Sequence, residues 1–286
     1  MLCREGKLSF LCFSAALIIA LLPDLVFRLE LVNDSEYFQN IWLIYFLQYG
    51  FCNFLLPFLF SGFEYQVALR SMLLGYVVGL GITIFSFALP SWQMFGAYMA
   101  SLAIFHYSEF LSIAWASPAS LSIDSFVLNH SIAYGIAASF SWIEYVIERH
   151  FYPEMKIASF ISYFGLILAI LGEVLRKTAI FTAKNNFNHL VQSEKKKDHV
   201  LVTHGIYAIF RHPSYVGWFY WAIGTQLILQ NPLSLLGYII SSWRFFHDRI
   251  LLEELMLWNF FGDAYVEYQK KVPTGLPFIS GNKINL

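Results

Sequence analysis

The chain has 286 residues, of which 58% are hydrophobic, 19% aromatic and only 13% charged. A soluble domain has about 25% charged residues, so this composition, with a mean hydropathy of +0.57, indicates an integral membrane protein. Nucleic-acid-binding proteins carry an excess of basic residues, and the formal net charge of −1 shows no such excess.

The three cysteines, Cys3, Cys12 and Cys52, have neither C-x-x-C spacing nor nearby histidines. A zinc site or a disulfide framework needs such a pattern. We therefore expect the cysteines to be packing residues, with no metal bound.

Apolar runs of about 20 residues, the length that crosses a bilayer, predict an all-α polytopic fold. The first run follows Arg4 and Lys7, but no A-x-A cleavage site comes after it, so we expect a retained helix rather than a signal peptide. Eight spans are predicted, at about residues 8–27, 38–60, 67–89, 92–115, 126–147, 157–180, 213–230 and 232–250.

The positive charges predict which side of the membrane the loops face. An even number of spans puts both termini on one side, and only Arg28, Arg149 and Lys156 of the 18 Lys and Arg residues fall on the other. Cytoplasmic loops carry the excess of Lys and Arg, so both termini should be cytoplasmic. We expect one membrane domain, 1–286, with a five-span bundle at 1–155 and a catalytic region at 156–286.

Short polar segments predict where helices begin and end. Pro90-Ser91 and Asn231-Pro232 are brief enough to be tight turns between antiparallel helices. Residues 116–124 are small and polar, and Asp124 or Ser125 is the expected cap of the next helix. The aromatic and charged tail from Glu254 to Leu286 predicts a further, cytoplasmic helix that ends at Pro273 and Pro277.

Two groups within the N-terminal spans have alternative explanations. Gly75-x-x-x-Gly79 is typical of close helix packing. His106 and Glu109 lie three residues apart on one face, which fits either a functional role or hydrogen bonding inside the bundle.

The most distinctive segment is Arg211-His212-Pro213-x-Tyr215-x-Gly217-Trp218. Pro213 suits the first turn of a helix, whose free N–H groups, with Arg211 and His212, would favour an anion. Gly217 would allow a close approach to the helix backbone. The alternative is an aromatic belt with an arginine reaching toward water.

A second charged cluster, WRFFHDRILLEE, occupies residues 243–254. Arg244 and Asp248 are four residues apart, as are Arg249 and Glu253, so each pair can form an ion pair on one helix face. A tight turn at 230–233 would return this helix beside the Arg211 segment. Charged groups at a membrane edge are costly unless paired or used, so the two clusters should build one pocket.

The C-terminal part of the chain resembles the isoprenylcysteine carboxyl methyltransferases. The matching motifs are LVTHGIYAIF, RHPSYVGW, WRFFHDR followed by a glutamate pair, and FFGDAYVEYQKKVPTGLPF. The RHPxYxG element is shared with phospholipid methyltransferases and sterol reductases, whereas EYQKKV and VPTGLPF are narrower. The resemblance extends from about Phe181 to the end, and eight spans agree with the animal enzymes.

This resemblance implies methyl transfer from S-adenosylmethionine to the carboxylate of a farnesylated or geranylgeranylated C-terminal cysteine, with S-adenosylhomocysteine as the product. Arg249 would bind the substrate carboxylate as a catalytic residue, and Arg176 would be a second contact. Because Ile250-Leu251-Leu252 precede Glu253-Glu254, either glutamate could face the cofactor; the spacing from Arg249 favours Glu253. The implied cofactor residues are Gln192, His199, Val200, Leu201, Val202, Tyr207, His212, Pro213, Ser214, Tyr215 and Glu253.

The implied substrates are CaaX-processed proteins such as small GTPases, and the implied location is the endoplasmic reticulum membrane, with a cytoplasmic active site. A carboxylate is ionised at neutral pH, so the reaction requires orientation more than a general base. A guanidinium suits this task because it binds carboxylates bidentately.

Three alternatives remain open from the residues alone. A phospholipid N-methyltransferase would share the donor site but would place Arg249 beside a cationic acceptor. An NADPH-dependent sterol reductase would need more spans and a phosphate site. A non-catalytic scaffold would not explain why Arg, His and Glu gather at one interface.

Overall fold

The computed structural model describes residues 2–29, 34–128, 131–195 and 197–282, and only the backbone of residues 34–40. Lys196 and Lys283, two of the charges counted for topology, lie outside these ranges. The regular structure that is described is entirely helical, as predicted. The α-helices are α1 (Arg4–Arg28), α2 (Asp34–Leu59), α3 (Gly62–Phe87), α4 (Pro90–Ala116), α5 (Ile132–Phe151), α6 (Phe160–Ala183), α7 (Pro213–Leu229), α8 (Pro232–Phe261) and α9 (Asp263–Lys271).

Four stretches of the described chain are long and apolar enough to cross a bilayer. They correspond to the first, second, third and sixth predicted spans. The other predicted spans coincide with α4, α5, α7 and α8, whose crossing of the membrane stays a prediction. The four stretches are Arg4–Arg28, Ile41–Leu59, Gly62–Phe87 and Pro153–Asn186.

The start of α5 differs from the prediction. Residues Ile123–Phe126 form a separate 3-10 helix, so neither Asp124 nor Ser125 caps α5. The cap is Ser131, whose hydroxyl accepts a hydrogen bond of 3.1 Å from the N–H of Tyr134. Several small polar residues compete for this role in the sequence, and the local turn decides between them.

The end of α8 also differs. The span was predicted to end near residue 250, where apolarity declines, but the helix continues to Phe261. Residues 250–261 are mostly good helix formers, so the helix continues beyond the apolar span. It stops at Gly262, whose φ of 53° favours glycine.

The chain divides into two compact units. The first contains Met1–Trp115, Ser122–His130 and Glu148–Ser159. In it, a Cβ on Gly75 would lie 2.2 Å from the carbonyl oxygen of Phe13, and one on Gly79 would lie 2.4 Å from Ala20. The predicted packing role of Gly75 and Gly79 is therefore confirmed, with α1 as the partner of α3.

The buried histidine of the first unit has an internal partner. His106 Nδ1 hydrogen-bonds to the carbonyl oxygen of Phe126 at 3.0 Å. His106 and Glu109 are both buried. For His106, this contact is the hydrogen bonding inside the bundle that the sequence allowed.

The second unit contains Ala116–Leu121, Ser131–Ile147 and Phe160–Leu286. Its closest helix pair is α6 with α7, where glycines seven residues apart face each other. A Cβ on Gly172 would lie 2.6 Å from the carbonyl oxygen of Gly217, and one on Gly165 would lie 2.8 Å from that of Gly224. The close approach predicted at Gly217 is therefore made by the α6 backbone.

The tight turn between α7 and α8 is confirmed and is held by a buried carboxylate. Glu144 accepts hydrogen bonds of 2.7 Å from the N–H groups of Leu233 and Ser234. These N–H groups belong to the first turn of α8 and have no partner within the helix. Glu144 thus caps α8 and fixes where it begins, which in turn positions the charged residues farther along.

Candidate active site

One cavity of the second unit is lined by all eleven residues that the resemblance assigns to a cofactor. They come from the segment between α6 and α7, from the first turn of α7 and from α8. The set is Gln192, His199, Val200, Leu201, Val202, Tyr207, His212, Pro213, Ser214, Tyr215 and Glu253. The first charged cluster and Glu253 of the second therefore line one cavity, whereas the arginines of the second cluster are not among its described lining residues.

Hydrogen bonds and a cation–π contact hold the segment between α6 and α7 in place. The side-chain oxygen of Asn186 accepts a hydrogen bond of 2.9 Å from the N–H of Val200, which joins the start of the segment to its middle. Lys195 Nζ donates to the carbonyl oxygen of Phe260 at 2.7 Å and lies 4.6 Å from the ring centroid of Phe261. A segment with little regular structure thus forms one wall of the cavity.

Arg211 is buried at the base of the cavity, and its guanidinium is fully used. Nε and Nη2 donate to one oxygen of Glu254, each at 2.9 Å. Nη1 donates to the carbonyl oxygens of Gln269 and Val272, and Nη2 also donates to that of Ser280. A guanidinium has five N–H donors, so the anion predicted at this site is Glu254 of the chain itself.

Glu254 is fully buried and receives three more hydrogen bonds, from Nε2 of His212, the side chain of Gln269 and the N–H of Asn282. Burial opposes ionisation, but the hydrogen bond and charge of His212 and the charge of Arg211 outweigh it and lower the pKa of Glu254. A buried carboxylate requires such compensation. The cluster joins α7, α8, α9 and the C-terminal tail.

The structure separates the two adjacent glutamates. Glu253 lines the cavity and its side chain is 28% exposed, whereas Glu254 is 0% exposed. Consecutive residues of an α-helix point about 100° apart, so the two carboxylates have different surroundings, and only one of them lines the cavity. That one is Glu253, as its spacing from Arg249 suggested.

The two predicted ion pairs of α8 do not form as expected. The Tyr215 hydroxyl donates to Glu253 and accepts a hydrogen bond of 2.8 Å from Nε of Arg249, so it bridges this pair. Asp248 contacts the neighbouring His247 at 3.0 Å instead of Arg244. Exposed pairs contribute little, so competing partners redirect them easily.

Neither proposed catalytic arginine is among the described residues that line the cavity. Arg249 is half-buried and is linked to the cavity through Tyr215. Arg176 is 2% exposed, donates to the hydroxyl of Ser214 at 2.6 Å and lies over the ring of Trp218. Arg176 therefore supports the first turn of α7 from behind.

The aromatic residues that α8 and α9 contribute to the cavity wall, Phe260, Phe261, Tyr265 and Tyr268, were not predicted. His199 packs against the rings of Phe260 and Phe261, and the Tyr268 hydroxyl donates to the carbonyl oxygen of Tyr207 at 2.6 Å. The signal available was the spacing of aromatics over residues 260–268. It resembles a membrane-interface belt until the loop that packs on it is known.

Comparison with known proteins gives a full-length relative. The chain is 50% identical to the protein-S-isoprenylcysteine O-methyltransferase of Tribolium castaneum, over 99% of this chain and 100% of the relative. The chain belongs to the isoprenylcysteine carboxyl methyltransferase family. The family model matches residues 165–259, which include α7, most of α8 and part of the cavity.

Other members of the isoprenylcysteine carboxyl methyltransferase family agree. The human protein-S-isoprenylcysteine O-methyltransferase is 54% identical over 82% of each chain. A solved structure of the eukaryotic intramembrane Ras methyltransferase ICMT has a TM-score of 0.90 at 49% identity, covering 98% of this chain and 99% of that one. The predicted all-helical membrane architecture is confirmed, and the relatives do not support the phospholipid, sterol or scaffold alternatives.

Proposed function

We propose that this chain transfers a methyl group from S-adenosylmethionine to the C-terminal carboxylate of a prenylated cysteine, with S-adenosylhomocysteine released. The observation that carries the proposal is the single cavity lined by all eleven expected cofactor residues, with Arg249 linked to it through one hydroxyl. The names of the relatives support the same reaction.

The cavity suits this methyl donor chemically. Its walls combine aromatic and aliphatic groups for a purine with polar groups for the ribose and amino-acid portions. Glu253 provides a negative charge that would favour a cationic sulfonium or ammonium group. The wall also contains the buried side chain of Tyr265, which adds a hydroxyl to these polar groups.

When bound, S-adenosylmethionine supplies an electrophilic methyl group on a sulfonium that is a good leaving group. Arg249 would bind the acceptor carboxylate, remove part of its hydration and aim one oxygen at the methyl group. No proton is removed from the acceptor, because the acid is already ionised near pH 7. The positions of the donor and the acceptor therefore dominate the barrier.

The membrane setting follows from the acceptor. A prenyl chain prefers hydrocarbon, whereas the donor and the carboxylate prefer water. We propose an active site at the cytoplasmic face of the endoplasmic reticulum membrane, with both termini on that face, and with CaaX-processed proteins such as small GTPases as substrates. The prenyl group would enter laterally from the bilayer.

The test is transfer of label from S-adenosylmethionine to N-acetyl-S-farnesylcysteine, with base lability identifying an ester. Arg249→Ala should lower transfer about 10- to 100-fold, because it removes a charge-assisted hydrogen bond. The matched control is Arg244→Ala on the same helix, since Arg244 is exposed and should leave transfer unchanged. Donor binding by unaltered protein without any base-labile product would overturn the proposed acceptor.

A further inference from the structure

Tyr215 lines the cavity and also connects two charged residues of α8 through its hydroxyl. Its hydroxyl accepts a hydrogen bond from Nε of Arg249 and donates one to a carboxylate oxygen of Glu253. A hydroxyl has one donor and two acceptor positions, so its donor is spent within the protein. We infer that Tyr215 is a positioning residue whose hydroxyl orients Arg249 toward the acceptor carboxylate; this inference rests on the proposed function.

The ring of Tyr215 is held firmly enough for this task. It stacks on His212 with centroids 5.5 Å apart and planes 5° apart, and on Phe246 at 5.2 Å and 26°. His212 is in turn fixed by its hydrogen bond of 3.1 Å to Glu254. The hydroxyl therefore has a defined position, set by α7 and by the buried cluster.

The contacts of Arg249 define which edge of the guanidinium is left for a ligand. Nε donates to Tyr215, and Nη2 donates to the carbonyl oxygen of His189. These two nitrogens form one edge of the planar group, so that edge is occupied by the protein. Two of the three remaining N–H groups lie on the Nη1–Nη2 edge, which can bind a carboxylate bidentately.

The hydroxyl also keeps two opposite charges apart. Arg249 and Glu253 lie four residues apart on α8, the spacing at which such side chains pair directly. With Tyr215 between them, each charged group is hydrogen-bonded to the hydroxyl, and the described contacts include no direct ion pair between the two. Without the hydroxyl, we expect Arg249 to turn toward Glu253 and away from the acceptor.

This arrangement makes Tyr215→Phe a specific test. The variant retains the stacked ring but loses both hydrogen bonds. The probes are N-acetyl-S-farnesylcysteine and its carboxamide, each measured as a ligand that protects the protein from thermal unfolding. Binding of the acid should weaken about tenfold, whereas binding of the uncharged amide should change less than about twofold.

The matched control is Tyr220→Phe, since Tyr220 lies on the same helix but outside the cavity wall. This variant should bind both probes as the unaltered protein does. Stabilisation by S-adenosylmethionine reports that each variant is folded. If Tyr215→Phe weakened the binding of the acid and of the amide equally, or weakened only the binding of S-adenosylmethionine, the proposed positioning role would be wrong.

A double-mutant comparison tests whether the hydroxyl of Tyr215 acts through Arg249. Lysine has no planar edge for the hydroxyl to orient, so in an Arg249→Lys background the hydroxyl should no longer affect the acid-to-amide ratio. An additive effect of the two substitutions would contradict action through Arg249. Failure of the unaltered protein to form a base-labile product would refute the proposed function instead, without altering the binding comparison.

Discussion

Replacing Glu254 by glutamine should be among the most destabilising single changes in the second unit. One carboxylate oxygen accepts from Arg211 and His212, and the other accepts from Gln269 and Asn282. An amide has only one such oxygen, so two donors would face an NH₂ group, and Arg211, 4% exposed, would lack a counter-charge. Breaking a buried pair in this way costs about 3–5 kcal/mol.

The assay is unfolding of purified protein in detergent, followed by tryptophan fluorescence against increasing denaturant. The matched control is Glu253→Gln, because its carboxylate is partly exposed and glutamine can still accept from Tyr215; a loss of less than about 1 kcal/mol is expected. A change below about 1 kcal/mol for Glu254→Gln would refute the buried-cluster argument.

Three further predictions concern pH, packing and capping. The folded-state pKa of Glu254 is lowered, so its contribution to stability is present above the ordinary pKa near 4.5 and is lost as the pH falls below that value and through the lower folded pKa. Denaturant midpoints measured from pH 7 down to about pH 3 should therefore fall less in Glu254→Gln than in the unaltered protein. Gly172→Ala should destabilise the protein by about 1–3 kcal/mol, because its Cβ would meet the α7 backbone. Gly237→Ala is the control: nothing lies within 4 Å of its Cβ, so it should stabilise the protein by about 0.5–1 kcal/mol. Identical denaturant midpoints for the two variants would contradict the packing argument. Glu144→Ala should lower the free energy of unfolding by about 1–2 kcal/mol, because α8 loses its cap. Glu154 is exposed, so Glu154→Ala should leave stability unchanged in the same unfolding assay.

The helices were predictable because lipid imposes one dominant pattern. An apolar run long enough to cross the bilayer must satisfy its backbone internally, so the positions of the helices follow from composition. The ends of the helices were predicted less well. The cap at Ser131 and the extension of α8 to Phe261 depend on local turns and helix propensity, which the apolar runs do not report.

The site was predictable to the extent that proximity follows from topology. The short turn before α8 brings Tyr215 near Glu253, and the motif resemblance supplied the loop residues. The partners within the cluster were not predictable. Arg211 was expected to favour a ligand anion but is saturated by Glu254 and backbone carbonyls, because three of its acceptors belong to α9 and the tail.

Arg249 and Glu253 lie on the same continuous helix, one turn apart. Their Cα atoms are separated along the helix axis by about 6 Å, a distance that depends on helix geometry and not on loop closure. The group proposed for the acceptor and the group proposed for the donor therefore keep a constant axial spacing. Adding one residue between them would rotate Glu253 by about 100° relative to Arg249 and would misalign the two substrates even if both still bound.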